Sequence, residues 1–428
     1  MDARKLRSAV DDAMPLAVEL LDTLRKETAD GGGVSRESYG AGEQFAHDLL
    51  KTRAEALQLE TRVDFAGNLY MTLPGRDRSA PGWITGSHLD SVPMGGNYDG
   101  AAGVIAGMVA LAALRKSGER PPRDITVMGI RAEEASSWYG GSHNGHLGSR
   151  AALGMLPDAE LQGAINSRSG RTLGQHIEAA GFDARAIAAG RTALKRERYA
   201  GYVELHIEQG PVLENRGLAV GIVTGIRGSA RLRSARCIGE YTHSGAVPHE
   251  YRSDAVLATA ELCHRLDRAW QDVRDTGGDL VFTVGKFYTD PKAHALTKVP
   301  GEASFTIDLR SQDIATLDAM IKRTRELARE IGEQRRVRFE LGDFNMQEPS
   351  IMDEGLRDVL GREARILGIE PLAMPSGAGH DAQDFTRAGY PAAMIFVRNA
   401  HGSHNPDEAM DLDDFALGTQ LLARFLTT

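Results

Sequence analysis

Acidic and histidine residues fall at recurring places in this sequence, each at the end of a short apolar run. Trp83–Ser87 runs into His88-Leu89-Asp90, and Ile125–Ile130 runs into Glu133-Glu134. Tyr202–Ile207 contains His206, with Glu204 and Glu208 beside it, and Ala392–Val397 leads into a loop holding His401 and His404. Asp99 sits in Gly95-Gly96-Asn97-Tyr98-Asp99-Gly100, just ahead of a helical stretch. Three imidazoles with two or three carboxylates and no thiolate form a borderline-to-hard ligand set, which suits Zn²⁺, Mn²⁺ or Co²⁺. The count is too large for one catalytic ion with an open position and suits two ions sharing a bridging carboxylate. Taken singly, each residue has an ordinary role. Asp99 could cap a helix, Glu133-Glu134 could complement a helix dipole, and His206 could be a hydrogen-bonded core residue. Their joint arrival at strand ends argues for a site.

The elements that must position them alternate between short apolar runs and helical stretches. The four runs named above read as buried strands. Gly103–Lys116, with Val104, Met108, Leu111 and Leu114 at helical spacing, and Glu354–Leu367 read as helices. This mixture predicts an α/β fold, a mostly parallel sheet with helices on both faces. In such a sheet the carboxyl ends of the strands lie along one edge, where ligands bind.

The middle of the chain reads differently. Leu218–Thr224, Ala230–Ile238, Leu280–Lys286, Ser304–Arg310 and Val337–Phe344 read as strands, and Asp254–Ala269 and Ile314–Ile331 as helices. In Ser304–Arg310 the residues Phe305, Ile307 and Leu309 alternate with Thr306, Asp308 and Arg310, the mark of a sheet with one covered face. An inserted α+β domain over 217–345 is expected, with 1–216 and 346–428 forming the larger domain.

Composition bounds the partners. With 428 residues, two domains are the default. Lys and Arg total 50 against 59 Asp and Glu, a net charge of −9, which argues against a nucleic-acid partner. Two cysteines, Cys237 and Cys263, exclude a disulfide framework and a cysteine-rich zinc site. No stretch approaches the roughly 20 apolar residues of a membrane span. Residues 1–30 read as one amphipathic helix, broken by Glu19 and Asp22, and not as a signal peptide. A cytoplasmic enzyme is the expectation.

Several runs carry a family resemblance. Gly86-Ser87-His88-Leu89-Asp90-Ser91-Val92-Pro93, followed by Gly95-Gly96-Asn97-Tyr98-Asp99-Gly100, resembles the M20 metallopeptidase superfamily. Glu204-Leu205-His206-Ile207-Glu208-Gln209-Gly210-Pro211 and Ser376-Gly377-Ala378-Gly379-His380-Asp381-Ala382 resemble its amidohydrolase branch. That branch holds N-carbamoyl-L-amino acid hydrolases, β-ureidopropionases and allantoate amidohydrolases. Gly402-Ser403-His404-Asn405-Pro406 with Glu408 completes the pattern. The resemblance implies two divalent ions (Zn, Mn or Co) on His88, Asp99, Glu134, His206 and His404, with Asp99 bridging both. It implies that Asp90 fixes the His88 tautomer. Glu133 would be the general base that takes a proton from a water between the ions and delivers it to the leaving nitrogen. The inserted domain would serve as lid and dimer surface, making a homodimer.

The substrate side carries over in the same way. Arg310 would clamp the α-carboxylate of a small substrate, although the strand pattern by itself favours an ion pair with Asp308 or Asp313. His243 matches a lid histidine that reaches the partner subunit's site and stabilises an oxyanion. Gln209 and His380 match contacts to the polar head of the substrate. Two departures stand out: the family's Glu-Glu-Gly-Ser/Ala-Arg-Phe is here Glu133-Glu134-Ala135-Ser136-Ser137-Trp138, and Thr297 replaces a substrate-holding Asn. Both are expected to alter the pocket around an intact metal site. His143, His146 and His401 lie nearby in sequence without an assigned role. The resulting expectation is a hydrolase of a linear C–N bond in an N-carbamoyl amino acid. An aminoacylase, an allantoate or ureidoglycolate-type hydrolase, or a non-catalytic metal-binding relative are the alternatives.

Overall fold

The computed structural model describes residues 2–139 and 145–428, so His143 lies outside the described residues. The chain divides into two units, Met1–Thr224 with Ile351–Thr428, and Gly225–Ser350. The fold is α/β. The sheet of the larger unit runs Ser350–Ile351, Val220–Ile226, Ala392–Val397, Tyr199–Ile207, Gly82–His88, Ile125–Ile130, Leu69–Leu73, Glu60–Val63, with Leu372–Ser376 beside Val220–Ile226. Its four central strands, from Ala392–Val397 to Ile125–Ile130, are parallel. The strands flanking them on either side pair antiparallel. Parallel neighbours end on the same edge, so the residues following His88, Ile130, Ile207 and Val397 emerge together.

The two faces of the sheet are both covered. Val203, Leu205 and Ile207, with Ala393, Ile395 and Val397, face a core shared with the helices Ala101–Lys116 and Leu412–Leu426. Residues Ala101 to Leu114 are all buried, as befits a helix that is apolar all round. The alternate residues Tyr202, Glu204 and His206 point to the other face. There Tyr202 stacks on Phe385 with ring centroids 3.9 Å apart, and Glu204 accepts the Ala382 N–H at 2.9 Å, both from the helix Asp381–Arg387.

In the smaller unit, Val281–Thr283, Glu302–Ser311, Gly228–Ile238 and Arg338–Glu340 form an antiparallel sheet in that order. The helices Ala255–Asp275 and Ile314–Arg335 pack on it. Burial alternates strictly along Glu302–Ser311, with Phe305, Ile307 and Leu309 inside.

Three expectations change. The N-terminal segment forms two helices, Ala3–Asp11 and Met14–Glu27, because Pro15 at the start of the second supplies no N–H to continue the first. The strand at Val220–Ile226 joins the larger sheet, pairing with Ala392–Val397, so the division between units falls after Thr224. The span Val337–Phe344 is not one strand: Arg338–Glu340 and Asn345–Gln347 pair with different parts of Gly228–Ile238. Among the described residues no helix is long and apolar enough to cross a membrane.

Candidate metal centre

His88 is the last residue of its strand, and His206 lies one residue before the end of its own. The loop that brings Asp99 between them needs glycine at two places. Gly100 has φ +65°, and a Cβ there would come 2.4 Å from the His88 ring. A Cβ on Gly96 would come 2.0 Å from the Glu408 carboxylate. Glu408 in turn accepts the N–H groups of Tyr98 and Asp99 at 2.8 and 3.2 Å, which tethers the loop. The helix after Asp99 takes Gly100 as its N-cap with no side-chain cap bond, so Asp99 is not spent as a cap.

Both buried rings have a fixed tautomer. His88 Nδ1 lies 3.1 Å from the Asp90 carbonyl, and His206 Nδ1 lies 2.8 Å from the Ile207 carbonyl. A carbonyl only accepts, so each Nδ1 carries a proton and each Nε2 is the ring nitrogen turned toward Asp99, a lone pair when the ring is neutral. Those Nε2 atoms lie 3.4 and 3.2 Å from Asp99 Oδ1. Asp99 Oδ1 is buried and has no hydrogen-bond partner. His206 Nε2 also accepts the Gly100 N–H at 3.2 Å, so Asp99 Oδ1 is the acceptor there without a donor, and a divalent cation fits the gathering of two ring nitrogens and that oxygen.

Asp99 also belongs to a second group. Its Oδ2 lies 3.3 Å from His404 Nε2, which lies 3.2 Å from Glu134 Oε1. His88, Asp99 and His206 form one cluster able to hold a metal ion, and Asp99, Glu134 and His404 form another. Two further combinations, Glu204 with His206 and His380, and His88 with Glu133 and Glu134, overlap them. The five residues that the family resemblance implied as ligands thus lie in two triads sharing one carboxylate.

Electrostatics follow from so many acids in so little water. Burial lowers the His88 pKa, but the negative charge of Glu133, Asp90 and Asp99 around the ring raises it well above the usual value in the metal-free chain. Hydrogen bonds to Asp99 and Glu134 push the His404 pKa up to about 11. Burial lifts the Glu134 carboxyl to about 7. Burial also works to raise Glu133, but the positive field of His88 and His146 reverses this, down to about 2. The cluster calls for positive charge, which protons or cations can provide.

Asp90 does more than meet the His88 ring, from which its Oδ1 is 3.3 Å. Its two oxygens accept the N–H groups of Glu133 and Glu134 at 3.0 and 3.1 Å. Ser38 donates to it at 2.5 Å. The backbone around the site is also unusual: Ala132, Ala135, His146, Gln209, His401 and His404 all have positive φ without being glycine. Such conformations persist where surrounding contacts over-determine them, often at functional sites.

Gln209 is at the site, with Nε2 donating to Asp99 Oδ2 at 2.9 Å and its buried Oε1 unpartnered. His380 is buried edge-on to the His206 ring at 4.5 Å, and its Nε2 lies 2.9 Å from Ser376 Oγ. His243, Thr297 and Arg310 belong to the smaller unit. His243 Nδ1 accepts the N–H groups of Gly245 and Ala246, both at 3.1 Å, so Nε2 carries the proton of the neutral ring. His243 and Thr297 are exposed, and Ser244 N–H donates to the Thr297 carbonyl at 2.9 Å. Arg310 Nη2 pairs with Asp308 at 2.9 Å.

Trp138 is buried in an apolar cluster with Leu147, Leu161 and Leu173 and meets His176 edge-on at 5.1 Å. Ser137 Oγ donates to Glu37 at 2.7 Å. His146, which the sequence left without a role, places its Nε2 3.1 Å from Glu133 Oε1, with Asp384, which the sequence did not single out, behind it.

Comparison with known proteins identifies the family. The profile of peptidase family M20/M25/M40 matches residues 84–428. The chain belongs to that family. It is 34 % identical over 392 residues to the N-carbamoyl-L-amino acid amidohydrolase of Geobacillus stearothermophilus, covering 91 % of this chain and 92 % of the relative. Against the allantoate amidohydrolase of Escherichia coli (strain K12) the identity is 31 %, covering 98 % and 97 % of the two chains. A crystal structure of a hydantoinase/carbamoylase family amidase from Burkholderia ambifaria superposes with a TM-score of 0.86 at 28 % identity, covering 98 % of this chain and 97 % of that one. The relatives it matches over nearly their full length are named amidohydrolases.

Proposed function

We propose that this chain hydrolyses a linear C–N bond in a small ureido amino acid, an N-carbamoyl amino acid above all, using two divalent ions. The observation that carries this reading is the unpartnered Asp99 Oδ1 between two outward-facing imidazoles, on a carboxylate whose other oxygen serves a second triad. Asp99 would bridge, His88 and His206 would complete one site, and Glu134 and His404 the other. Bound there, the ions would supply Lewis acidity to the scissile carbonyl and to the attacking water.

The chain's own residues do the rest. Glu133 is buried beside both triads and is not needed as a ligand, which suits it to take a proton from water and return it to the leaving nitrogen. Asp90 holds the turn on which Glu133 and Glu134 stand. Gln209 and His380 would contact the polar head of the substrate, with Thr297 near it. Arg310 would exchange its pairing with Asp308 for a bidentate grip on the substrate carboxylate. His243 presents a ring Nε2–H, the donor that an oxyanion requires, and we place it across a homodimer in the partner's site. The inserted unit would be the lid and dimer surface of a cytoplasmic enzyme. For an N-carbamoyl substrate, water attacks the carbonyl and the bond to the amino acid nitrogen breaks. The free amino acid leaves, and the carbamic acid decomposes to CO₂ and ammonia.

A second reading keeps the machinery and changes the skeleton. It is favoured by the allantoate amidohydrolase relative, which matches nearly the full length of the chain. The test is an assay of ammonia and free amine on Mn²⁺- or Co²⁺-loaded protein, with N-carbamoyl, ureido and N-acyl amino acids. Equal ammonia and amine from an N-carbamoyl amino acid is the expected result. Ammonia from allantoate alone selects the second reading. Amine without ammonia from an N-acyl amino acid overturns both in favour of an aminoacylase.

A further inference from the structure

We infer that His146, backed by Asp384, is the positioning residue that orients the Glu133 carboxylate, leaving Oε2 as the oxygen that handles the proton. The inference rests on Glu133 being the general base. Three observations carry it. First, the ring lies between two carboxylates: Nε2 is 3.1 Å from Glu133 Oε1, and Nδ1 is 2.7 Å from Asp384 Oδ2. A ring so placed can donate to each, as an orienting partner behind a catalytic group does.

Second, the attachment is made twice. The His146 N–H donates to the Glu133 carbonyl at 2.7 Å, and Leu147 and Gly148 continue the same ladder to Ala132 and Arg131 at 2.9 Å each. The backbone of 145–148 is thus laid against the strand end that carries Glu133. A Cβ on Gly145 would come 2.3 Å from the Glu133 carbonyl, so no other residue allows that approach. Third, His146 holds φ +58°, a conformation a non-glycine residue adopts only when something fixes it. In this conformation its side chain turns back onto the carboxyl of the residue its backbone already holds.

The chemical consequence is a division of labour within one carboxylate. With Oε1 committed to His146, Oε2 is the oxygen on the side of His88, whose Nε2 is 3.9 Å away. A carboxylate free to rotate would spend part of its time with neither oxygen aimed at the ligand cluster. Asp384 acts through the ring only: Arg387 and the helix Asp381–Arg387 hold it, with the Gln383 amide 3.2 Å from the same Nδ1. A purely structural tie between the 145–148 segment and that helix is the competing account.

Two readouts separate them. The first is a double-mutant cycle of His146→Ala and Glu133→Gln on the N-carbamoyl amino acid turned over fastest. His146→Ala should lower kcat about 10–100-fold with KM and metal content little changed. His146→Gln, which keeps a side-chain N–H, should recover part of that loss. In the Glu133→Gln background, removing His146 should cost nothing more. The second readout needs no turnover: the downfield ring N–H protons of the metal-free, full-length chain. Signals lost in His146→Gln belong to His146; one should move in Glu133→Gln and the other in Asp384→Asn. Normal kcat in His146→Ala, a loss that adds in full to that of Glu133→Gln, or a His146 ring proton indifferent to Glu133→Gln overturns the inference. If Glu133→Gln alone keeps near-normal kcat, the base assignment falls first and takes this with it. If Glu133→Gln is inactive and His146→Ala is normal, only the role of His146 falls.

Discussion

The two triads that share Asp99 are built to different standards of rigidity. His88, Asp99 and His206 are all buried, and both rings are pinned through Nδ1 to main-chain carbonyls at the ends of central strands. The other triad takes Glu134 from a turn and His404 from a loop in a left-handed conformation, with half of the His404 side chain exposed. The inner triad is therefore the closed half, and the outer one the open flank. Catalysis at a metal needs an open position, and a structural ion needs none. On the proposed reading, the closed half would hold charge and the open half would meet the substrate.

The largest effect should come from a residue in neither triad. On the proposed reading, Glu133→Gln removes the proton acceptor and leaves the five proposed ligands in place. It should lower kcat by about 10²–10⁴-fold or more while the protein still binds its full complement of metal. Metal analysis alongside turnover checks this. Loss of metal in that variant would make Glu133 a ligand and erase its separation from the triads.

Next in size is the contrast between the halves. His404→Ala should reduce bound metal from two ions per chain to one, because the inner triad stays whole. His206→Ala should cost the more tightly held ion and, through the shared Asp99, loosen the other. Stoichiometry after dialysis distinguishes the two variants. Identical losses would mean that the triads act as one site and not as two.

Protonation gives a third handle. In the metal-free chain His404 keeps its proton up to about 11, held by hydrogen bonds to Asp99 and Glu134. A raised imidazole pKa stabilises the fold fully below the ordinary value of about 6.5 and loses that contribution as pH climbs toward the raised one. An ion entering the outer triad must displace the same proton, so apparent affinity should rise with pH, by about tenfold per unit for each proton released. Chelator competition between about pH 6 and 9, with proton release on metal binding followed in weak buffer, checks the sign. An affinity that stays flat or falls would show that His404 is not the ligand the geometry makes it.

Much of this arrangement could be read before any coordinates, and the reason is local. His88, Glu133-Glu134, His206 and His404 each follow an apolar run, and parallel strands bring such ends together without further information. What escaped the reading depends on partners far apart in the chain. His146 meets Asp384 across 238 positions, and nothing near either residue announces the other. Asp90 carries the His88 interaction in its spacing, but its grip on the Glu133 and Glu134 N–H groups arises only when two strands lie side by side. The Val220–Ile226 run misled for a related reason. Its apolar pattern suits either sheet, and the antiparallel pairing with Ala392–Val397 decides.

The smallest prediction is the most selective. The Ser403 hydroxyl sits between Asp99 Oδ2 and Glu408 Oε2, so it touches the oxygen of Asp99 that serves the outer triad and not the one that serves the inner. Asp99 Oδ2 keeps its bond from Gln209 when that hydroxyl is removed. Ser403→Ala should thus cost about 1 kcal/mol, the usual worth of one hydrogen bond, or roughly fivefold in affinity for the weaker ion. The tighter ion should be unaffected, as resolved by a two-step calorimetric titration. An equal loss at both steps would mean that Ser403 fixes the whole Asp99 side chain. The two oxygens would then be one rigid bridge, and the difference between the halves would lie in their histidines alone.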